Sequence, residues 1–292
     1  MKTFAFPSLF ILIFLSASCE IIHPSEEIPA YIHIPKIDLI VPSADAATQG
    51  SASQKITDAW VFIDDQPLGA FELPVTVPVL KSGSHQLKIK SGIKLNGFTK
   101  QRVQYQFYNS YDMSYNFNVN TVDTIKPQVQ YYPNIHFAWK ENFENSVLSI
   151  QKIGSSDTSI VLVTEKSILL KDNGGNGCGA IYLDAQHPTY KGIGALSSTA
   201  FNLPGSGTTV YLEMDYQCNN SFEVGIFAIN GGIELPVLIL YPSASWNKVY
   251  VSLGPKISEN PSSQGYFFYL HAINENSLSK YIYIDNLKII YP

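Results

Sequence analysis

From residue 31 to the C-terminus the dominant period of apolar and polar positions is two. In HQLKIK, Leu87 and Ile89 share one face while Gln86, Lys88 and Lys90 share the other. Val103-Gln-Tyr105-Gln-Phe107 and Tyr115-Asn-Phe117-Asn-Val119 alternate likewise, as half-buried antiparallel strands do. Further strands are expected at 31–34, closed by Pro35, and at 59–63. Asp64-Asp65-Gln66-Pro67 turns the chain, and Pro74 and Pro78, which lack an N–H, place the next segment at a sheet edge. Residues 41–55 read as a small-residue loop. The second half carries strand-like runs at 159–163, 179–183, 208–218, 222–229, 237–241, 246–253, 265–272 and 281–289, each bounded by Gly, Pro, Asn or Ser. That many strands at that spacing imply a sandwich or jelly roll. The expected fold is all-β: an N-terminal β-sandwich over 31–125, a linker over 126–135, and a C-terminal jelly-roll β-sandwich over 136–292.

The first residues obey a different rule. Lys2 precedes an apolar run over 4–15, then Ser16-Ala17-Ser18 and Cys19. A run this short is a signal-peptide core, because a membrane span needs about 20 residues. Leu15-Ser-Ala-Ser-Cys19 resembles the lipobox of bacterial lipoproteins. The resemblance implies a signal peptide over 1–18, cleavage before Cys19, acylation of Cys19 by palmitate-type chains, and a lipidated tether over 19–30. An ordinary secretory leader with a chance cysteine is the alternative. Glu20, Glu26 and Glu27 behind Cys19 resemble the export signal of Bacteroidota surface lipoproteins, which implies a lipid-anchored protein of the outer membrane or cell surface; a solvated acidic linker reads equally well.

Composition narrows the partners. The formal net charge is −5, with 15% charged and 13% aromatic residues, including 18 Tyr and 16 Phe. An acidic chain lacks the basic footprint of nucleic-acid binding. With Cys19 committed to lipid, Cys178 and Cys218 remain; in an oxidising compartment they would close into a disulfide, the alternative being two buried thiols.

Three resemblances bear on function. The stretch 59–90, with its WVFID strand, Gly69, Pro74, Pro78 and SGSHQLKIK, resembles a PEGA-type surface module, which implies a scaffold. The second half resembles jelly rolls of the galactose-binding and carbohydrate-binding-module type, through NFE at 142–144, W-x-K-V-Y-V at 246–251 and the terminal YIYIDNLKI. That likeness implies glycan binding and a structural Ca²⁺ held by an early Glu and a last-strand Asp, here Glu144 and Asp285. Calcium takes six to eight oxygens, so other oxygens must join them. Glu213-Met214-Asp215 resembles the E-x-D-x-x-E strand of family 16 glycoside hydrolases, but the last Glu is replaced by Cys218. Two-carboxylate hydrolysis needs both partners. Asp123-Thr124-Ile125 resembles the O-glycosylation signal of Bacteroidota, with Thr124 as acceptor.

Sugars offer apolar C–H faces to aromatic rings, so Tyr190, Tyr241 and Trp246, in or beside loops, are the candidate platforms. The expected function is non-enzymatic glycan binding through the jelly roll of a cell-surface lipoprotein. The alternatives are a structural or adhesion subunit that binds other surface proteins, and a hydrolase using Glu213 and Asp215.

Overall fold

In this computed structural model residues 27–154, 156–171, 175–194, 200–205, 207–276 and 278–292 are described. The leader and Cys19 lie outside the described residues.

The N-terminal unit carries β1 (Ala30–Ile34), β2 (Asp38–Leu39), a short helix α1 (Ala46–Gln49), β3 (Asp58–Ile63), β4 (Gln66–Glu72), β5 (Val75–Val79), β6 (Gly83–Lys94), β7 (Arg102–Gln104), β8 (Tyr111–Phe117), β9 (Val122–Thr124) and β10 (Gln128–Val129). One sheet runs β5-β1-β9 and another β4-β3-β6-β7, with β8 also on β6. Ile32, Val77, Val61 and Ile89 from the two sheets fill one buried core. The prolines behave as their chemistry requires: β5 is an edge strand, with Pro78 opposite Tyr31. Asp64 and Asp65 both adopt positive φ and close the β3–β4 hairpin as a two-residue turn.

Two expectations change here. Residues 126–135 do not hang free: β10 pairs with β2, and Val129 and Tyr131 are buried in the N-terminal core. Their apolar side chains favour packing over solvent. The alternating 103–107 run forms a ladder only to Gln104; Tyr105, Phe107 and Tyr108 then leave it and become buried against the second unit.

The C-terminal unit carries β11 (His136–Glu141), β12 (Ile150–Lys152), β13 (Val161–Val163), β14 (Cys178–Leu183), β15 (Thr189–Gly194), β16 (Tyr211–Cys218), β17 (Phe222–Ala228), β18 (Ile233–Leu240), β19 (Ser243–Ser252), a short helix α2 (Gly254–Glu259), β20 (Tyr266–Ile273) and β21 (Lys280–Tyr291). A six-stranded sheet runs β13-β14-β21-β16-β19, with β11 also on β21, and a five-stranded sheet runs β12-β15-β20-β17-β18. Their inner faces share a core that includes Trp139, Leu212, Met214, Ile226 and Phe268. The first and last strands, β11 and β21, pair antiparallel.

The two units are joined by more than the chain. Tyr211, Tyr250 and Ile290, on the outer face of the six-stranded sheet, belong to the N-terminal core. The rings of Tyr105 and Tyr250 lie 4.9 Å apart, and those of Phe107 and Tyr211 5.5 Å. Asn96 N–H donates to the Tyr250 carbonyl at 2.9 Å, and Lys55 N–H donates to the Tyr250 hydroxyl at 2.9 Å. The small-residue loop lies across this seam: Lys288 Nζ donates to the Ser51 carbonyl at 2.8 Å and Lys140 Nζ to that of Ala47.

Candidate functional site

Strand β16 alternates as its sequence dictates. Leu212, Met214, Tyr216 and Cys218 face the sandwich core, and Tyr211, Glu213 and Asp215 face the other way. That outer face is not wet. Glu213 is 0% exposed and accepts hydrogen bonds from the hydroxyls of Tyr105 at 2.7 Å and Tyr131 at 2.9 Å. Lys248 Nζ stands 3.2 Å from its other oxygen. Asp215 is also buried and accepts from Asn286 Nδ2 at 3.0 Å. Tyr105 and Tyr131 of the N-terminal unit seal Glu213, and Asp215 is buried and held by Asn286 and Lys248, so the pair is not free to act as two catalytic carboxylates on one glycosidic bond. The hydrolase alternative loses its proposed residues.

The cluster has a pH signature. Burial alone would raise the Glu213 carboxyl, but Lys248, Lys288 and the two tyrosine hydroxyls outweigh it and hold the group below its ordinary value. Burial pushes Lys288 down to about 7; Glu213 and Asp215 pull the other way, and Lys248 and Lys140 add to the fall. A lysine depressed in the folded state contributes stability that is full above its unfolded value and is lost as pH falls through the folded one. Stability is therefore expected to rise from pH 7 to 9.5, and Lys288→Met to flatten that rise. Urea midpoints across the range check it; an equal slope in the variant would show that other groups titrate.

The open face of the five-stranded sheet is occupied by its own side chains. Lys191 Nζ binds Glu234 at 2.7 and 2.9 Å, and the Tyr269 hydroxyl donates to Glu234 at 3.1 Å. Tyr269 is buried beneath them.

The open space lies elsewhere, at the seam between the units. A cleft of about 710 Å³ is walled by β18 and β19 on one side and by the β6–β7 turn and Lys55 on the other. Tyr241 stands at the β18–β19 turn with 69% of its surface exposed, and Phe98 on the opposite unit with 50%. Asn96, Asn247, Lys55 and Lys94 line the same cleft. Asn96 and Gly97 both take positive φ, which makes the turn that carries Phe98. Asn96 Oδ1 is fixed by Ser252 N–H at 2.8 Å. A second hollow of about 470 Å³ shares Lys55, Asn247 and Lys248 with the first and reaches Trp246. The Trp246 indole is half-buried, and its Nε1 donates to the Ile168 carbonyl at 2.8 Å.

No protein-family model matches the chain, and no curated protein matches it by sequence. Among solved structures it is similar to the C-terminal family 22 carbohydrate-binding module of Clostridium thermocellum Xyn10B, at 14% identity and a TM-score of 0.36, over 52% of this chain and 92% of that one. It is similar to a family 29 carbohydrate-binding module at 11% identity and a TM-score of 0.33, over 55% and 91%. The K3 adhesin domain of Lys-gingipain from Porphyromonas gingivalis matches at 11% and 0.36, over 54% and 99%. The chain spans 27% of the length of an arabinose-bound α-L-arabinofuranosidase that it also matches, at 9% identity and a TM-score of 0.40. These likenesses are remote; the all-β architecture rests on the strand pairings themselves.

The remaining expected residues fall in different places. Tyr190 is 0% exposed inside the sandwich core, so it is no platform: its position on β15 alternates inward. Cys178 and Cys218 are free and buried. They lie on β14 and β16 with β21 between them, and strands two apart are separated by about 9.5 Å. A disulfide requires Cα atoms within about 7 Å, so this pair does not bond. Thr124 is exposed, but it sits in β9 opposite His33 rather than in a free linker. Glu144 accepts from the Asn176 N–H at 2.8 Å, while Asp285 is buried, in register with Asp215. Burial pushes the Asp285 carboxyl up to about 8, with Asp215 and Glu144 adding to the rise. A Cβ built on Gly175 would meet both Glu144 Oε1, at 3.0 Å, and Asp285 Oδ2, at 4.0 Å, so the two carboxylates converge on one loop. Among the described residues no three His, Cys, Asp or Glu side chains form a metal cluster, so backbone carbonyls would have to complete any calcium site.

Proposed function

We propose that this is a lipid-anchored surface protein that binds glycan, without catalysis, in the cleft between its two β units. The observation that carries the reading is the pair of exposed rings, Tyr241 and Phe98, contributed by opposite units to one cleft that amide side chains also line. Aromatic faces stack on sugar C–H surfaces, and Asn96 and Asn247 supply donors and acceptors for hydroxyls. Retention of the protein on a glycan array should fall about tenfold, near 1.4 kcal/mol, in each of Tyr241→Ala and Phe98→Ala. A wild-type chain that binds no glycan, or variants that bind as well as wild type, would overturn it. Loss of metabolic fatty-acid labelling in Cys19→Ser checks the anchor.

Calcium at Glu144 and Asp285 belongs to the same proposal as a stabiliser of the β11–β21 closure. The residues fit a hard cation in type and position. Millimolar Ca²⁺ is expected to raise the thermal midpoint of the wild type and not that of Asp285→Asn; an unchanged wild-type midpoint would refute the site.

A further inference from the structure

The charge of the cleft narrows its ligand. The chain as a whole is acidic. Three lysines nevertheless line the cleft, Lys55, Lys94 and Lys248, against one carboxylate, Glu223; of the three, Lys248 is already paired with the buried Glu213. Lys55 is exposed to the cleft, and its ammonium is bonded to the neutral Asn247 amide; among the described residues no carboxylate lies within ion-pair distance of it. Lys94 reaches Glu72 only at 3.8 Å. Burial lowers the Lys55 ammonium and the positive charge of Lys94 lowers it further, so the two cations repel across the space they share. The second hollow adds Lys171 at its wall, while its one acid, Asp215, is already bound to Asn286. Two like charges turned into one hollow are relieved by an anion placed between them. Tyr241 and Phe98 flank the same space.

We infer that the cleft takes a carboxylated glycan, a chain of uronic acid residues, with Lys55 and Lys94 pairing its carboxylates and the two rings stacking on its sugars. This rests on the glycan reading above and adds the class of ligand. The N-terminal unit is then part of the binding site, because it supplies both lysines and one ring.

The test uses polygalacturonate and its fully methyl-esterified form, which keeps the sugars and removes the charge. In affinity gels, the full chain should be retarded by polygalacturonate at least tenfold more strongly than by the ester. Lys55→Ala/Lys94→Ala should erase the difference, and raising salt from 50 to 500 mM should weaken retention by polygalacturonate only, since added salt screens exposed charge. Both lysines are at the surface of the cleft, and Lys55→Gln/Lys94→Gln offers a second variant that keeps the side-chain length. Equal retention by acid and ester, or lysine variants that hold polygalacturonate as the wild type does, overturns the carboxylate inference while the glycan reading survives. No retention by either polymer overturns the inference, and the array result then decides the glycan reading separately.

Discussion

Glu213→Ala is expected to lower the unfolding free energy by about 3–5 kcal/mol, the range for removing one partner from a buried ion pair. Glu213 accepts two tyrosine hydroxyls and faces Lys248, with Lys288 close by, and all of these groups are buried where the two units meet. Taking away the carboxylate leaves Lys248 with only the more distant Asp215, at 3.9 Å, and the Tyr105 and Tyr131 hydroxyls without their acceptor. Unmet donors cost about 1–3 kcal/mol each where buried. Glu213→Gln keeps an acceptor for the hydroxyls and should fall between the two. Urea unfolding followed by intrinsic fluorescence measures the loss. A change under 1 kcal/mol in Glu213→Ala would mean that water reaches the cluster and the seam opens in solution.

The second large effect belongs to the jelly-roll core. Trp139 on β11 stacks against Phe268 on β20, centroids 5.3 Å apart and planes 17° from parallel, and so ties one sheet to the other. Its Nε1 donates to Ser149 Oγ at 3.1 Å. A Cβ on Gly194 would come within 2.6 Å of the ring, so the backbone opposite has been kept bare to admit it. Trp139→Ala should cost about 3–5 kcal/mol through lost transfer energy and the cavity left behind. Trp139→Phe should cost less, because part of the stack survives. Thermal melts of both variants rank them; an alanine variant no worse than the phenylalanine one would show that the core collapses to fill the gap.

Both variants act through burial, and burial is where sequence reasoning was uneven. The two-residue period of β16 is legible in the sequence, and it separates core-facing from outward-facing side chains. It could not show that the outward face is covered, because the cover, Tyr105 and Tyr131, comes from residues about a hundred positions away. Tyr241 was recognisable from its turn beside PSAS, and the structure leaves it exposed. Tyr190 had the same surroundings in sequence, yet its position on β15 turns it inward, so a loop-like neighbourhood misled. Phe98, Lys55 and Lys94 carried no signal for the cleft. The Asn96-Gly97 pair marks a turn and so a projecting Phe98, but nothing in it says what that ring faces.

The sequence alone determined what depends on neighbours along the chain: a two-residue period that only paired strands satisfy, aspartates that accept the positive φ of a hairpin, and prolines that force an edge. The tertiary structure decided what depends on distant segments meeting. It set β21 between the two cysteines, sealed Glu213 under tyrosines, and brought Phe98 and two lysines opposite Tyr241. Local sterics and hydrogen bonding act over a few residues and can be read in order. Burial and electric field are sums over the whole packed molecule, and no short stretch of sequence contains them.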